Sequence, residues 1–329
     1  MISALSRASR LAALPAVAVL AAAGSAHAAA FPSKPLTIVV PAAPGGSPDI
    51  LARLVGKALS EKIGQPVTID NRPGGAGNIA AGHVARAEPD GYTLLVATDG
   101  IATNQTLFKE RPYDALTSYA PVVQAINAPQ IFAIRSGLQD KDLQSFLKNA
   151  KAAPGKYALA SPAIGTTGQL GVLMLQKQAG ITVTPVVYKS AQPALTDVLG
   201  GHADGIIVTL APALPFIQEG RLTPIAVSTS TRSGVLPNVK TFVEQGLPDF
   251  AFGSWQGFVA PAGTPADVIK YLNQAFNDVL KDPGIKRKLE EQAFDVVGGT
   301  PEAFGALIAS SVKSWGDVIR ANGLAQGQQ

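Results

Sequence analysis

From Leu36 onward, short apolar runs alternate with stretches in which apolar residues recur at helical spacing. That alternation leaves few folds open, because a strand–helix–strand unit packs its helix back onto a sheet of parallel strands. Residues 36–41 predict a strand and 48–63 a helix, with Ile50, Leu51, Leu54, Val55, Ala58, Leu59 and Ile63 at helical spacing. Ser47 is placed to cap that helix, Pro48 suits its first position, and Asp49 lies beside its positive end. The pattern recurs in strand 67–70, helix 78–87 and strand 93–98. A further set runs through strand 131–135, helix 142–150, strand 157–161, helix 167–178, strand 183–187, helix 192–199 and strands 205–208 and 222–228. Residues 255–261 predict a strand that leads into helices 265–280 and 301–321. The expected class is therefore α/β, with mainly parallel sheets flanked by helices, and such sheets place ligands at the carboxyl ends of their strands.

The first 28 residues read as a cleaved secretory signal. Arg7 and Arg10 give a positive start, residues 11–24 are uncharged and apolar, and Ala26-His27-Ala28 puts small residues where a signal peptidase reads, with cleavage before Ala29. The apolar run is shorter than the ~20 residues of a membrane span. Arg7 and Arg10 are not adjacent, which favours the general secretory route over the twin-arginine route. Removing residues 1–28 takes both arginines and lowers the formal net charge from +4 to +2. That balance is too small to imply nucleic acid, and no basic stripe with interleaved aromatics is present.

What remains is long enough for two lobes with separate cores. No Gly/Ser linker divides it, so the chain is expected to cross to a second lobe near Pro129 and return near Phe252. Residues 29–128 with 252–329 would form one lobe and 129–251 the other. The chain has no Cys, which excludes disulfides, thiolate metal sites, cysteine nucleophiles and a lipid anchor on cysteine. The expected mature protein is free in the periplasm and, by default, a monomer.

Catalytic and cofactor signals are weak. His83 and His202, the histidines left after cleavage, form no zinc-type pair. Gly253-Ser254-Trp255-Gln256-Gly257 has its serine one place early for a nucleophile elbow, and Gly56-Lys57 lacks the rest of a phosphate loop. Gly75-Ala76-Gly77-Asn78-Ile79-Ala80 matches a dinucleotide spacing, but Asn71-Arg72-Pro73 intervenes where a tight strand-to-helix turn is needed. Glu290-Glu291 and Asp140 with Asp142 read as solvated faces. No cofactor, metal or enzymatic activity is expected.

Three loops between a strand and a helix are suited to an anion instead. They are Pro41-Ala42-Ala43-Pro44-Gly45-Gly46-Ser47, Ser161-Pro162-Ala163-Ile164-Gly165-Thr166-Thr167 and Asn71-Arg72-Pro73-Gly74-Gly75-Ala76-Gly77. Turned backbone amides and a helix start can hold a carboxylate without Lys or Arg. Two such loops facing each other favour a dianion over a cation or a sugar, and the chain is only 6% aromatic, poor in the stacking surfaces sugars need. Trp255 is read as lobe packing rather than cleft lining.

At these loops the sequence resembles the Bug-type receptors, the solute-binding subunits of tripartite tricarboxylate transporters. The resemblance rests on Leu36-Thr37-Ile38-Val39-Val40-Pro41, Pro44-Gly45-Gly46-Ser47-Pro48-Asp49 with Ala52-Arg53, Asn71-Arg72-Pro73-Gly74 and Pro89-Asp90-Gly91-Tyr92-Thr93-Leu94-Leu95. It continues through Tyr188-Lys189, Pro193-Ala194, Asp197-Val198-Leu199-Gly200-Gly201 with Asp204, and Trp255-Gln256-Gly257 with Ala260-Pro261-Ala262-Gly263-Thr264-Pro265. It implies a two-lobe, type II-like Venus-flytrap periplasmic binding protein that takes a small carboxylate between its lobes and passes it to a membrane permease. Such ligands include di- and tricarboxylates, amino acids and aromatic acids. The implied contacts are Ala42, Ala43, Pro44, Gly45, Gly46 and Ser47 in one loop and Ser161, Ile164, Gly165, Thr166 and Thr167 in the other. Thr98, Asn104, Tyr188 and Asp204 complete the candidates. The chain departs from the family at Ala42, often a bulky aromatic, at Gln169, often His, and at Ser190, often Gly. Asp49 and Arg53, one helical turn apart, are read as structural, and Lys189 likewise. A periplasmic sensor that presents its ligand to a membrane kinase would use the same closure and is the competing reading.

Overall fold

Leu36, Ile38, Val39 and Val40 are fully buried, as a strand covered on both faces requires. They belong to β1 (Leu36–Val40), followed by α1 (Ser47–Ile63), β2 (Val67–Asn71), α2 (Asn78–Ala85), β3 (Thr93–Thr98) and α3 (Gly100–Leu107). A 17-residue strand, β4 (Tyr119–Arg135), comes next. Then follow α4 (Leu143–Ala152), β5 (Ala158–Ser161), α5 (Thr167–Ala179), β6 (Thr184–Val187), α6 (Ala191–Leu199), β7 (Gly205–Thr209), α7 (Leu210–Gln218) and β8 (Leu222–Val227). The chain finishes with β9 (Gly253–Pro261), α8 (Ala266–Lys281), α9 (Pro283–Glu291), β10 (Asp295–Val296) and α10 (Pro301–Ala321). This computed structural model describes residues 31–321 and 323–325, so the expected leader and its expected cleavage point lie outside the described residues.

The strands run in the order β2-β1-β3-β9-β4-β7-β5-β6, with β8 and β10 also on β4. Ladders β1–β2, β1–β3, β5–β6 and β5–β7 are parallel, as the βαβ alternation predicts. Every ladder made by β4 or β9 is antiparallel. The sheet is therefore mixed rather than mainly parallel throughout: the crossing strands return against the βαβ strands.

Between Pro129 and Gln130, β4 changes partners. Its first part pairs with β9 down to Pro129–Gly253, and its last part pairs with β7 and β8 from Gln130 and Ile131 onward. The sequence reading recovered only residues 131–135 of this strand, because Pro121 and Pro129 cannot donate to a ladder and read as breakers. Pro121 is accommodated at a register shift.

Apolar burial follows the same division. Phe132, Phe146, Phe242 and Phe250 form one aromatic core with centroid spacings of 4.8, 6.3 and 4.3 Å. Val39, Leu95, Trp255, Val259 and Phe304 anchor another beside β3 and β9. Each fully buried Phe or Leu contributes roughly 1.5–3 kcal/mol. A smaller cluster joins Leu107 of α3, Leu170 of α5 and Trp315 and Ile319 of α10. Helix α7 escaped the sequence reading because its buried residues Leu210, Ala211, Pro212, Ala213, Leu214 and Ile217 leave no polar face to mark a period. Helix α3 carries no such period either, and of α9 the sequence marks only a helical, charged stretch at Glu290-Glu291.

Candidate functional site

The first loop is shaped by a buried acid. Asp49 is 2% exposed, and its carboxylate accepts from the Gly45 amide, Arg53 Nε and Asn71 Nδ2, each at 2.9 Å. Burial opposes its charge, but Arg53, the Gly45 amide and Asn71 outweigh it and hold the carboxyl below its ordinary range. Asn71 Nδ2 also reaches the Ala42 carbonyl at 3.0 Å. Asp49 and Arg53 thus pin the turn, as their spacing suggested. The helix cap is one residue earlier than expected: Gly46 is the N-cap and makes no side-chain bond, and Ser47 is the first helical residue. Ser47 Oγ instead accepts from Gln256 Nε2 of β9 at 2.5 Å, so a tertiary partner claims the hydroxyl.

The second loop holds itself in a comparable turn. Thr166 caps α5 by accepting from the Gln169 amide at 3.3 Å, and the Gly165 amide donates to Gln169 Oε1 at 2.7 Å. Across the molecule, Thr103 Oγ1 of α3 donates to the Gly165 carbonyl at 2.7 Å. Gln192 Nε2, in the first turn of α6, likewise reaches the Gly45 carbonyl at 2.9 Å. Both glycines have left-handed φ, +79° at Gly165 and +80° at Gly45; a Cβ would come within 2.8 Å of Asn104 Oδ1 and Leu107 Cδ1 at Gly165 and of Gln192 Nε2 at Gly45.

A cavity of about 140 Å³ lies between the two loops, far more than the ~10–15 Å³ one water needs. Its wall comes from the carboxyl ends of β1, β2, β3, β5, β6 and β7, where an open α/β sheet presents its helix starts. Of the residues expected there, Ala42, Ala43, Gly46, Ser47, Thr98, Gly165, Thr166 and Thr167 line it. Gly74, Ala76 and Gly77 of the third loop line it too.

Others are placed elsewhere. Pro44 and Ile164 are exposed and do not line the cavity, and Gly45 faces Gln192. Asn104 Nδ2 braces the third loop through the Ala76 carbonyl (3.0 Å) and Asn78 Oδ1 (2.9 Å). Ser161 is buried, its hydroxyl without a hydrogen-bond partner. Tyr188 donates to Asp197 at 2.7 Å, and its hydroxyl is pushed up to about 12, first by burial and then by that carboxylate. Asp204 takes Arg135 Nε at 3.1 Å and the Ala158 amide at 3.0 Å. Trp255 packs edge-on against Phe304 and donates to Ser311 Oγ at 2.9 Å, away from the cavity.

Several wall residues escaped the sequence reading: Asp99, Gln130, Gln192, Thr209, Ser254 and Gln256. Period-two alternation in β9 carried a signal for two of them, since Ser254 and Gln256 must face opposite to Trp255. Asp99 directly follows β3, where the strand-end rule points. It is 3% exposed, and burial pushes its carboxyl up to about 6 against the opposing pull of Ser254 and Thr167. Gln130 is 1% exposed and its Nε2 has no partner; nothing in the sequence marked it.

Among the described residues no three His, Cys, Asp or Glu side chains gather as a metal site, and no helix is long and apolar enough to cross a membrane. A family model described as tripartite tricarboxylate transporter family receptor matches residues 51–324. BugT of Bordetella pertussis is 31% identical over 309 residues, spanning 93% of this chain and 95% of that protein. The structure of the periplasmic binding protein BugD aligns at 29% identity and TM-score 0.86 over 90% of this chain and 99% of that one. The structure of R. palustris Rpa4515 with adipate aligns at 32% identity and TM-score 0.87 over the same shares of each chain. The chain thus belongs to the tripartite tricarboxylate transporter receptors, as a Bug-type periplasmic solute-binding protein and not an enzyme.

Proposed function

We propose that this receptor captures a small carboxylate between two lobes, residues 29–128 with 252–329 and residues 129–251, and delivers it to a membrane permease. The observation that carries the reading is the cavity itself, into which the starts of α1 and α5 both open. The amides and partial positive charge at the start of α1 suit an anionic guest, while at the start of α5 Thr167 already bonds to Asp99. The partner change of β4 at Pro129 supports the lobe boundary, and the adipate held by Rpa4515 supports the ligand class. The same proposal includes export by removal of residues 1–28 and a monomeric mature protein, to be read by N-terminal sequencing and light scattering of the periplasmic product.

The deciding experiment is a thermal-melting panel of mono-, di- and tricarboxylates, with sugars and divalent metals as controls. A bound carboxylate at a hundredfold excess over its Kd stabilises the fold by about 2.7 kcal/mol. Shifts with sugars or metals and none with any carboxylate would overturn the ligand class.

A further inference from the structure

The cavity wall contains two ionisable side chains, Asp99 and Lys189. Lys189 is exposed and keeps its hydration, whereas Asp99 is 3% exposed. Ser254 Oγ hydrogen-bonds to Asp99 Oδ1, and the amide and hydroxyl of Thr167 also favour the charged carboxyl. A buried carboxylate of this kind is normally matched by a cation, and among the described residues none, Lys189 included, forms an ion pair with Asp99. Its nearness to Thr167 has a second effect. It places a negative charge at the start of α5, which weakens that end of the cavity as a seat for a second anion.

The neutral groups of the wall point the same way. Gln130 Nε2, a donor, and Gln256 Oε1, an acceptor, belong to side chains 1% exposed and have no hydrogen-bond partner. An unfilled donor and an unfilled acceptor fit a guest that both accepts and donates. A plain dicarboxylate only accepts.

We infer, resting on the carboxylate-receptor reading above, that Asp99 is a specificity residue that receives an ammonium group, making the preferred guest an amino carboxylate. Its carboxylate faces the start of α1 with Gln130, and its ammonium supplies the cation that Asp99 lacks.

The test is calorimetry at neutral pH on matched probes: aspartate against succinate, glutamate against glutarate, 4-aminobutyrate against butyrate, and alanine against propionate. In at least one pair the amino member should bind about tenfold or more tightly, the scale of a desolvated charge pair. Asp99→Asn should reduce that ratio about tenfold, with Asp99→Ser as a second variant if the first fails to melt cooperatively. The wild-type ranking decides the matter even if neither variant folds. Plain members binding as tightly as amino members in every pair, or an unchanged ratio in a folded variant, would overturn the assignment of Asp99 while leaving the carboxylate receptor intact. Absence of binding by every probe and by the wider carboxylate panel would sink the receptor reading itself.

Discussion

Burying Asp99 has a measurable cost. Its folded value of about 6 lies above the ordinary 3.8, so the native state holds the proton more tightly than the unfolded chain. Stability from this group is fully present below about pH 4, falls as pH rises through about 6, and stays low above. Two pH units correspond to about 3 kcal/mol. Subtracting the unfolding free energy of Asp99→Asn from that of the wild type, measured from pH 4 to 8, should expose this slope; a flat difference would remove the buried charge from the account. Gly165 makes the opposite kind of demand. Its φ of +79° and the 2.8 Å approach of Asn104 Oδ1 and Leu107 Cδ1 leave no room for a Cβ. Gly165→Ala should cost about 1–3 kcal/mol in denaturant unfolding and weaken ligand binding, because Asn104 and α3 must retreat.

At the scale of elements, the starts of α1 and α5 are held by different means. Helix α5 uses its own Thr166 and Gln169. Helix α1 depends on Asp49, which gathers Gly45, Arg53 and Asn71 into one cluster. Asp49→Ala should cost about 1–2 kcal/mol by leaving the part-buried Gly45 amide and Asn71 donor unpaired, and should weaken ligand binding further because the 41–47 turn loses its anchor. Asp49→Asn, which keeps the shape, should lose less of both. Equal loss of stability with unchanged affinity would show that the turn does not form part of the binding surface. The paired strands β4 and β9 are the complementary rigid part: they carry Gln130, Ser254 and Gln256 into the cavity from the middle of the sheet.

At the scale of the molecule, the contacts beside the cavity between the two proposed lobes are few and polar: Gln192 to Gly45, Thr103 to Gly165 and Thr167 to Asp99. A small apolar cluster of Leu107, Leu170, Trp315 and Ile319 adds to them. A ligand that shifts the lobes toward closure must bind the closed form better than the open one. Saturation with the strongest carboxylate of the melting panel should therefore shrink the radius of gyration in small-angle scattering. No change on saturation would place the protein in one closed state throughout.

The βαβ alternation was legible because it is local. Apolar period and Gly/Pro turns marked β1, α1, β3, α5 and α10 within a residue or so, and the loops at 41–47 and 161–167 followed from their place between strand and helix. What the sequence could not reveal depends on contacts distant along the chain. Pro121 and Pro129 disguised a continuous β4 that only its pairing with β9 and β7 completes. Ser47 resembled a cap until Gln256, far away in sequence, claimed its hydroxyl. Tyr188 and Asp204 stood in matching motifs, yet their partners Asp197 and Arg135 hold them in the framework. Local spacing dictated the elements and the anion-ready turns; only the folded chain, by bringing β4 and β9 beneath both loops, decided that a buried acid and two glutamines share the cavity with them.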